Sequence, residues 1–215
     1  MIILSCIISV KDGIMTCTAN NALVIIDMQN DFMDYGGLPV EGSIDLVPSI
    51  NQLQNDYNTI ILTQDWHPEN HSSFCTEHNL PEHTVIDMPY GKQTLWPPHC
   101  IMDSYGSDIA VGLKTSRAQL IIRKGYQTHL DSYSAFYEND HQTPTGLHGY
   151  LQERNISDLT FVGVAYDFCV SWSAKDAAKL GYNVTVLKDY CAAIDLDGSA
   201  DYETKLMKEL GVTII

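Results

Sequence analysis

The chain has little positive charge and no run of it. Twelve Lys and Arg stand against 27 Asp and Glu in 215 residues, giving a formal net charge of −15, and the acids are spread along the whole length. With no basic patch to neutralise phosphates, nucleic acid and anionic membrane surfaces are excluded as partners. A small neutral or cationic ligand is compatible. The six cysteines, Cys6, Cys17, Cys75, Cys100, Cys169 and Cys191, include no C-x-x-C pair. They are too sparse for a disulfide framework, which points to free thiols in a reducing compartment, the cytoplasm. No apolar run is long enough to span a bilayer. The opening "MIILSCIISV" is interrupted by Lys11 and Asp12 and lacks both a basic n-region and a small-x-small cleavage site. Internal repeats and low-complexity tracts are missing too, which excludes solenoids and disordered linkers.

What is present suits one domain with a substantial core. Residues 1–20 read as an N-terminal extension with room for an extra strand, and residues 21–215 as the domain. Short apolar runs recur at "ALVIIDM" (22–28), "TIILTQ" (59–64), "QLIIRK" (119–124), "DLTFVGV" (158–164), "NVTVLKD" (183–189) and "GVTII" (211–215). They predict buried strands. Helical patterns lie between several of them, over 45–55, 145–155, 169–181 and 200–211, the last two closed by Gly181 and Gly211. This alternation predicts a single-domain three-layer α/β/α sandwich around a central, mainly parallel six-stranded sheet. The span 66–117 is different: rich in Pro, His, Asn and Ser, with a short helix predicted near "SYGSDIAVGL" (104–113). So long a stretch of weak periodicity usually carries function.

Ligands of open parallel sheets bind at the carboxyl ends of strands. Those positions hold Asp27, Asp65, Lys124 and, after a short turn, Cys169 at the start of a helix. A helix N-terminus, a cation and an adjacent base all favour a thiolate nucleophile. Asp27 is therefore the candidate general base, Lys124 the cation that holds the pair ionised, and the turn "VAYD" a source of N–H donors for an oxyanion. Taken singly, such residues are more often core, cap or solvated surface; their joint occurrence at strand ends is the signal.

The stretches "VIIDMQNDF" (24–32), "RKGY" (123–126) with "DSYSAF" (131–136), and "GVAYDFCV" (163–170) resemble the three motif regions of the isochorismatase-like cysteine hydrolases, and of their nicotinamidase/pyrazinamidase branch in particular. The resemblance covers about residues 21–215. It implies Asp27, Lys124 and Cys169 as a catalytic triad, Ala165 and Cys169 as oxyanion-hole donors, and a cis peptide at Val164–Ala165. The family commonly has Thr where this chain has Tyr166.

"TQDWHPENHSSF" (63–74) and "LWPPHC" (95–100) hold Asp65, His67, His71 and His99. Asp and His suit a divalent first-row metal, and an Asp-x-His on extended chain presents both side chains to one side. His99 would complete a set of three. The other histidines, His78, His83, His129, His141 and His148, read as hydrogen-bonding loop residues, and His71 stays open between ligand, supporting residue and loop residue. These stretches again resemble nicotinamidases. That implies one divalent metal ion, Zn²⁺ first with Fe²⁺ or Mn²⁺ as alternatives, bound by Asp65, His67 and His99, with Phe32 and Trp96 flanking nicotinamide as substrate and the metal at its pyridine nitrogen. The expected activity is hydrolysis of that linear amide, and of pyrazinamide, within NAD salvage. The alternatives are a related cysteine hydrolase of another amide, a carbamoyl compound or an isochorismate-like ether, a non-catalytic metal- or ligand-binding homologue, and a two-His, one-carboxylate iron oxygenase. Whether the chain forms a homo-oligomer stays open.

Overall fold

A computed structural model describes residues 20–215; the extension, and the extra strand it has room for, falls outside the described residues apart from Asn20. In chain order the elements are β1 (Asn21–Ile26), α1 (Leu46–Leu53), β2 (Thr59–Asp65), α2 (Cys75–His78), β3 (Val85–Met88), β4 (Gly91–Thr94) and β5 (Ala118–Lys124). They continue with α3 (Leu147–Glu153), β6 (Asp158–Val164), α4 (Ser171–Lys179), β7 (Asn183–Ala192), α5 (Ser199–Glu209) and β8 (Thr213–Ile214). Six strands form one parallel sheet in the order β5-β2-β1-β6-β7-β8, flanked by helices. No helix among the described residues is long and apolar enough to cross a membrane.

The central strands β1, β2 and β6 are buried almost end to end, as unbroken Val/Ile/Leu runs covered on both faces require. Strand order departs from β1 in two directions, to β2 and β5 on one side and to β6, β7 and β8 on the other. The switch point therefore lies between β1 and β6, where a crevice opens beyond the carboxyl ends. In register, Ile26 pairs with Gly163 and Asp65 with Lys124. The residues after β1 and β6 flank the crevice, while the ends of β2 and β5 stand side by side next to it.

Two details of 66–117 differ from expectation. Its "VIDM" and "GKQT" form an antiparallel hairpin, β3 with β4, too short and too exposed to show a clear pattern. The helix expected near 104–113 is instead a series of turns. Its carbonyls are taken by side chains from elsewhere: Ser107 O accepts from Gln29 and Gln64, and Tyr105 O from Asn30. Those groups are thereby engaged outside any i to i−4 ladder.

Candidate active site

Asp27 follows β1 in a left-handed conformation, φ 45°. Its N–H donates to Thr63 Oγ1 (3.0 Å), and the Thr63 hydroxyl donates back to its Oδ1 (2.5 Å). One β2 side chain thus locks both backbone and carboxylate. Lys124 ends β5, fully buried, and reaches across β2. Its Nζ lies 2.8 Å from Asp27 Oδ2, donates to Asp65 Oδ1 and to Ser132 O (2.9 Å), and stands 3.5 Å from Cys169 Sγ. Buried this deeply, an ammonium survives only because two carboxylates flank it; burial works against its proton, but Asp27 and Asp65 hold its pKa well above normal.

Beyond β6 the Val164–Ala165 peptide is cis, as the resemblance implied. The Ala165 carbonyl accepts the N–H groups of Phe168 and Val170, both at 3.1 Å. This closes a π-helical turn, Tyr166–Val170, that carries Cys169 just ahead of α4. Cys169 Sγ and one carboxylate oxygen each of Asp27 and Asp65 lie within 4.8 Å of one another. Both pKa shifts at the expected ionised pair run toward the protonated forms. Burial pushes the Cys169 thiol well above its ordinary pKa; Lys124 lowers it, and Asp27 and Asp65 raise it. The same burial raises Asp27. The shifts favour the protonated thiol and make the Asp27 carboxylate a stronger base, the polarity a proton transfer from sulfur to oxygen needs.

On the other side of Asp65, two imidazoles converge. His67 Nδ1 lies 2.8 Å from Gly125 O, and His99 Nδ1 lies 2.8 Å from Pro97 O. A carbonyl only accepts, so both Nδ1 atoms carry hydrogen and each Nε2 offers a lone pair when its ring is neutral; burial lowers the His67 pKa, but Asp65 raises it above its ordinary value. The two Nε2 atoms stand 3.6 and 3.9 Å from Asp65 Oδ2. Although burial opposes it, Lys124, His67 and His99 hold the Asp65 carboxyl ionised. Burial and His67 lower His99 to about 4, leaving it neutral. A carboxylate oxygen and two imidazole lone pairs, all buried and within 4.8 Å of one another, fit a divalent first-row metal. Gly125 makes the approach possible: at φ +66°, a Cβ there would lie 2.5 Å from His67 Cε1.

His71 stacks on His67 at 4.2 Å. Its Nε2 donates to Leu130 O at 3.3 Å, and its Nδ1 accepts from the Ser73 hydroxyl at 2.7 Å. No lone pair is left over, so in this arrangement His71 buttresses His67. Of the remaining histidines, expected in loops, His78 instead ends α2 and donates to Ser72 O, His148 lies in α3 and bonds the distant Tyr182 hydroxyl, and His141 stacks on Trp172.

The slot between the two halves is lined by Asp65, His99, Phe32, Trp96, Ala165 and Cys169, joined by Leu38, Asp131, Tyr133, Phe168 and Ile194. Phe32 and Trp96 thus face the crevice. Phe168 meets Trp96 edge-on at 4.9 Å and Tyr133 at 5.5 Å, and Trp96 Nε1 donates to Tyr133 Oη at 3.0 Å. Sequence reasoning missed these two walls, though both lie inside stretches that carried the resemblance. Tyr166 turns away: its hydroxyl pairs with Thr204 of α5 at 2.6 Å, outside the slot.

Residues 21–215 match the isochorismatase domain family. A curated nicotinamidase of Acinetobacter baylyi is 47% identical over 196 residues, covering 90% of this chain and 92% of its own. The solved structure of an Acinetobacter baumanii nicotinamidase/pyrazinamidase superposes with a TM-score of 0.91 at 46% identity, covering 92% of this chain and 96% of that one. A pyrazinamidase of Pyrococcus horikoshii solved in complex with zinc gives a TM-score of 0.73 at 30% identity, covering 91% and 98%.

Proposed function

The chain belongs to the isochorismatase family, and on that premise we propose that it is a nicotinamidase, hydrolysing nicotinamide to nicotinate and ammonia and so feeding NAD salvage. Pyrazinamide, a close isostere, is a second substrate. The observation that carries the reading is the Lys124 ammonium, which joins Asp27, Asp65 and Cys169 in one buried cluster.

Asp27 takes the proton of the Cys169 thiol as sulfur adds to the carboxamide carbon. The N–H groups of Ala165 and Cys169 hold the developing oxyanion. The proton on Asp27 passes to the departing nitrogen, and ammonia leaves a thioester on Sγ. Asp27 then takes a proton from water, whose hydroxide adds to the thioester carbon; the carbon–sulfur bond breaks, the proton on Asp27 returns to sulfur, and the acid departs and loses its own proton to water as nicotinate. Throughout, Lys124 keeps a positive charge beside Asp27 and Sγ, favouring the charged states through which the proton moves. Phe32 and Trp96 hold the flat ring between them, with Phe168 and Tyr133 closing the slot. Asp65, His67 and His99 would hold one divalent ion, Zn²⁺ ahead of Fe²⁺ or Mn²⁺, which when bound supplies a Lewis-acid site for the pyridine nitrogen. Free thiols at Cys75, Cys100, Cys169 and Cys191 support a cytoplasmic location.

Ammonia release from nicotinamide and from pyrazinamide tests the reading. Cys169→Ala should lower both by at least about 1,000-fold; equal rates in variant and wild type would sink the thioester route.

A further inference from the structure

Between Asp27 and Phe32 run three polar residues, Gln29, Asn30 and Asp31, to which the mechanism gives no task. Each side chain reaches backbone of a distant segment. Gln29, fully buried, takes the Asp65 N–H on Oε1 (2.8 Å) and donates from Nε2 to Asp65 O (2.8 Å) and Ser107 O (2.9 Å). Its amide thus pairs with the Asp65 peptide groups as a neighbouring strand would. Asn30 donates to Tyr105 O (2.8 Å) and accepts the Val111 N–H (3.1 Å). The Asp31 carboxylate accepts the N–H of Gly37 (3.0 Å) on one oxygen and of Cys100 (2.7 Å) on the other. Gly106 is pressed against that carboxylate so closely that a Cβ there would lie 2.0 Å from Oδ2.

Cys100 is the junction that matters. It is left-handed, φ 47°, a conformation a cysteine rarely keeps without outside support. Its N–H goes to Asp31, its carbonyl accepts the His67 N–H at 3.0 Å, and His67 O accepts the Met102 N–H at 2.8 Å. Cys100 follows His99 directly. One charge-assisted bond from Asp31 therefore fixes the backbone between the two histidines, while Gln29 fixes the backbone of Asp65.

We infer that Gln29 and Asp31 are positioning residues for the Asp65, His67 and His99 cluster: neither supplies one of its donor atoms, and together they set the backbone from which all three donors project. This rests on the reading of those three residues as metal ligands. Supporting groups of this kind typically change metal affinity by about 10- to 100-fold.

Zn²⁺ affinity of the metal-stripped full chain, measured by competition with a chromophoric chelator, separates the possibilities without reference to turnover. Asp31→Asn keeps the shape but supplies one acceptor where two are needed; Gln29→Met removes every bond to Asp65. Each should bind Zn²⁺ about 10- to 100-fold more weakly than wild type. Leu151→Ala, which opens the core under α3 away from the site, should bind as wild type does and so controls for general loss of stability. A Kd within about twofold of wild type in either variant removes that residue from the assignment, and an equal loss in Leu151→Ala overturns it altogether. Should Asp31→Asn not fold, Gln29→Met decides by the same criterion. A wild-type chain that does not compete for Zn²⁺ fails the ligand reading itself, and this inference with it.

Discussion

The two halves of the site meet at Asp65 and are built in opposite ways. Asp27 and Lys124 stand at strand ends, so their places follow from sheet register: Asp65 pairs with Lys124, and Thr63 of the same strand grips Asp27. His67 and His99 stand on loops and need carbonyls, a close glycine and side chains from the β1 end to aim them. A side chain on a strand inherits its direction from the hydrophobic pattern that buries the strand. One on a loop has to be aimed by polar bonds of its own. The strand-borne half should therefore fail through uncompensated charge, and the loop-borne half through lost aim.

The largest effect is expected at Lys124, where the halves join. Lys124→Met keeps the volume and leaves Asp27 and Asp65 buried with no ammonium between them. The cost should be about 3–5 kcal/mol, the usual penalty for removing one partner of a buried ion pair, with ammonia release down at least ~100-fold. Denaturant unfolding of the metal-free protein measures the first. If charge is the cause, adding Asp27→Asn should restore part of the lost stability, and a double variant no more stable than the single one breaks the argument.

A smaller effect confined to the loop-borne half is expected at Gly125. Ala there meets the His67 ring at 2.5 Å in a left-handed backbone. Zn²⁺ affinity should fall about 10- to 100-fold, while the rate at which iodoacetamide alkylates Cys169 should stay within about threefold of wild type. If alkylation changes as much as metal binding does, the halves are less separable than the geometry says.

The same contrast explains what was legible in the sequence. The six strands, four of the helices and the residues at strand ends could be read because burial imposes a period on them. Asp27, Lys124 and Cys169 came with that frame. The hairpin β3–β4 was not visible, because only one of its eight residues is buried. Nor was the turn structure of 104–113, whose carbonyls are claimed by Gln29, Asn30 and Gln64 from distant positions. The upward shift of the Cys169 thiol could not be read either: residue types promised a cation and a base, but three-dimensional burial is the largest influence on which way the thiol shifts. His71 had the composition of a ligand, and its engagement by Ser73 and Leu130, like its place beside His67 and Asp131, shows only in three dimensions.

Glu138 tests the seam from behind and should give the smallest effect. It is buried, and its Oε2 accepts the Gly125 N–H at 3.3 Å. Burial raises its carboxyl to about 7, against the lowering by Ser132, Gly125 and Lys124. An acid with a raised folded pKa holds its proton longer in the native state than in the unfolded one. Its contribution to stability is therefore fully present below the ordinary Glu range and is lost as pH rises through about 7. Glu138→Gln keeps an acceptor for Gly125 and abolishes the titration. Relative to wild type, the variant should gain on the order of 1 kcal/mol between pH 5 and pH 8. Unfolding midpoints across that range measure the difference, in which every other titrating group cancels. Parallel curves for the two proteins would mean that Glu138 ionises without cost, and that the strand-to-loop junction at Gly125 is more open to water than its packing implies.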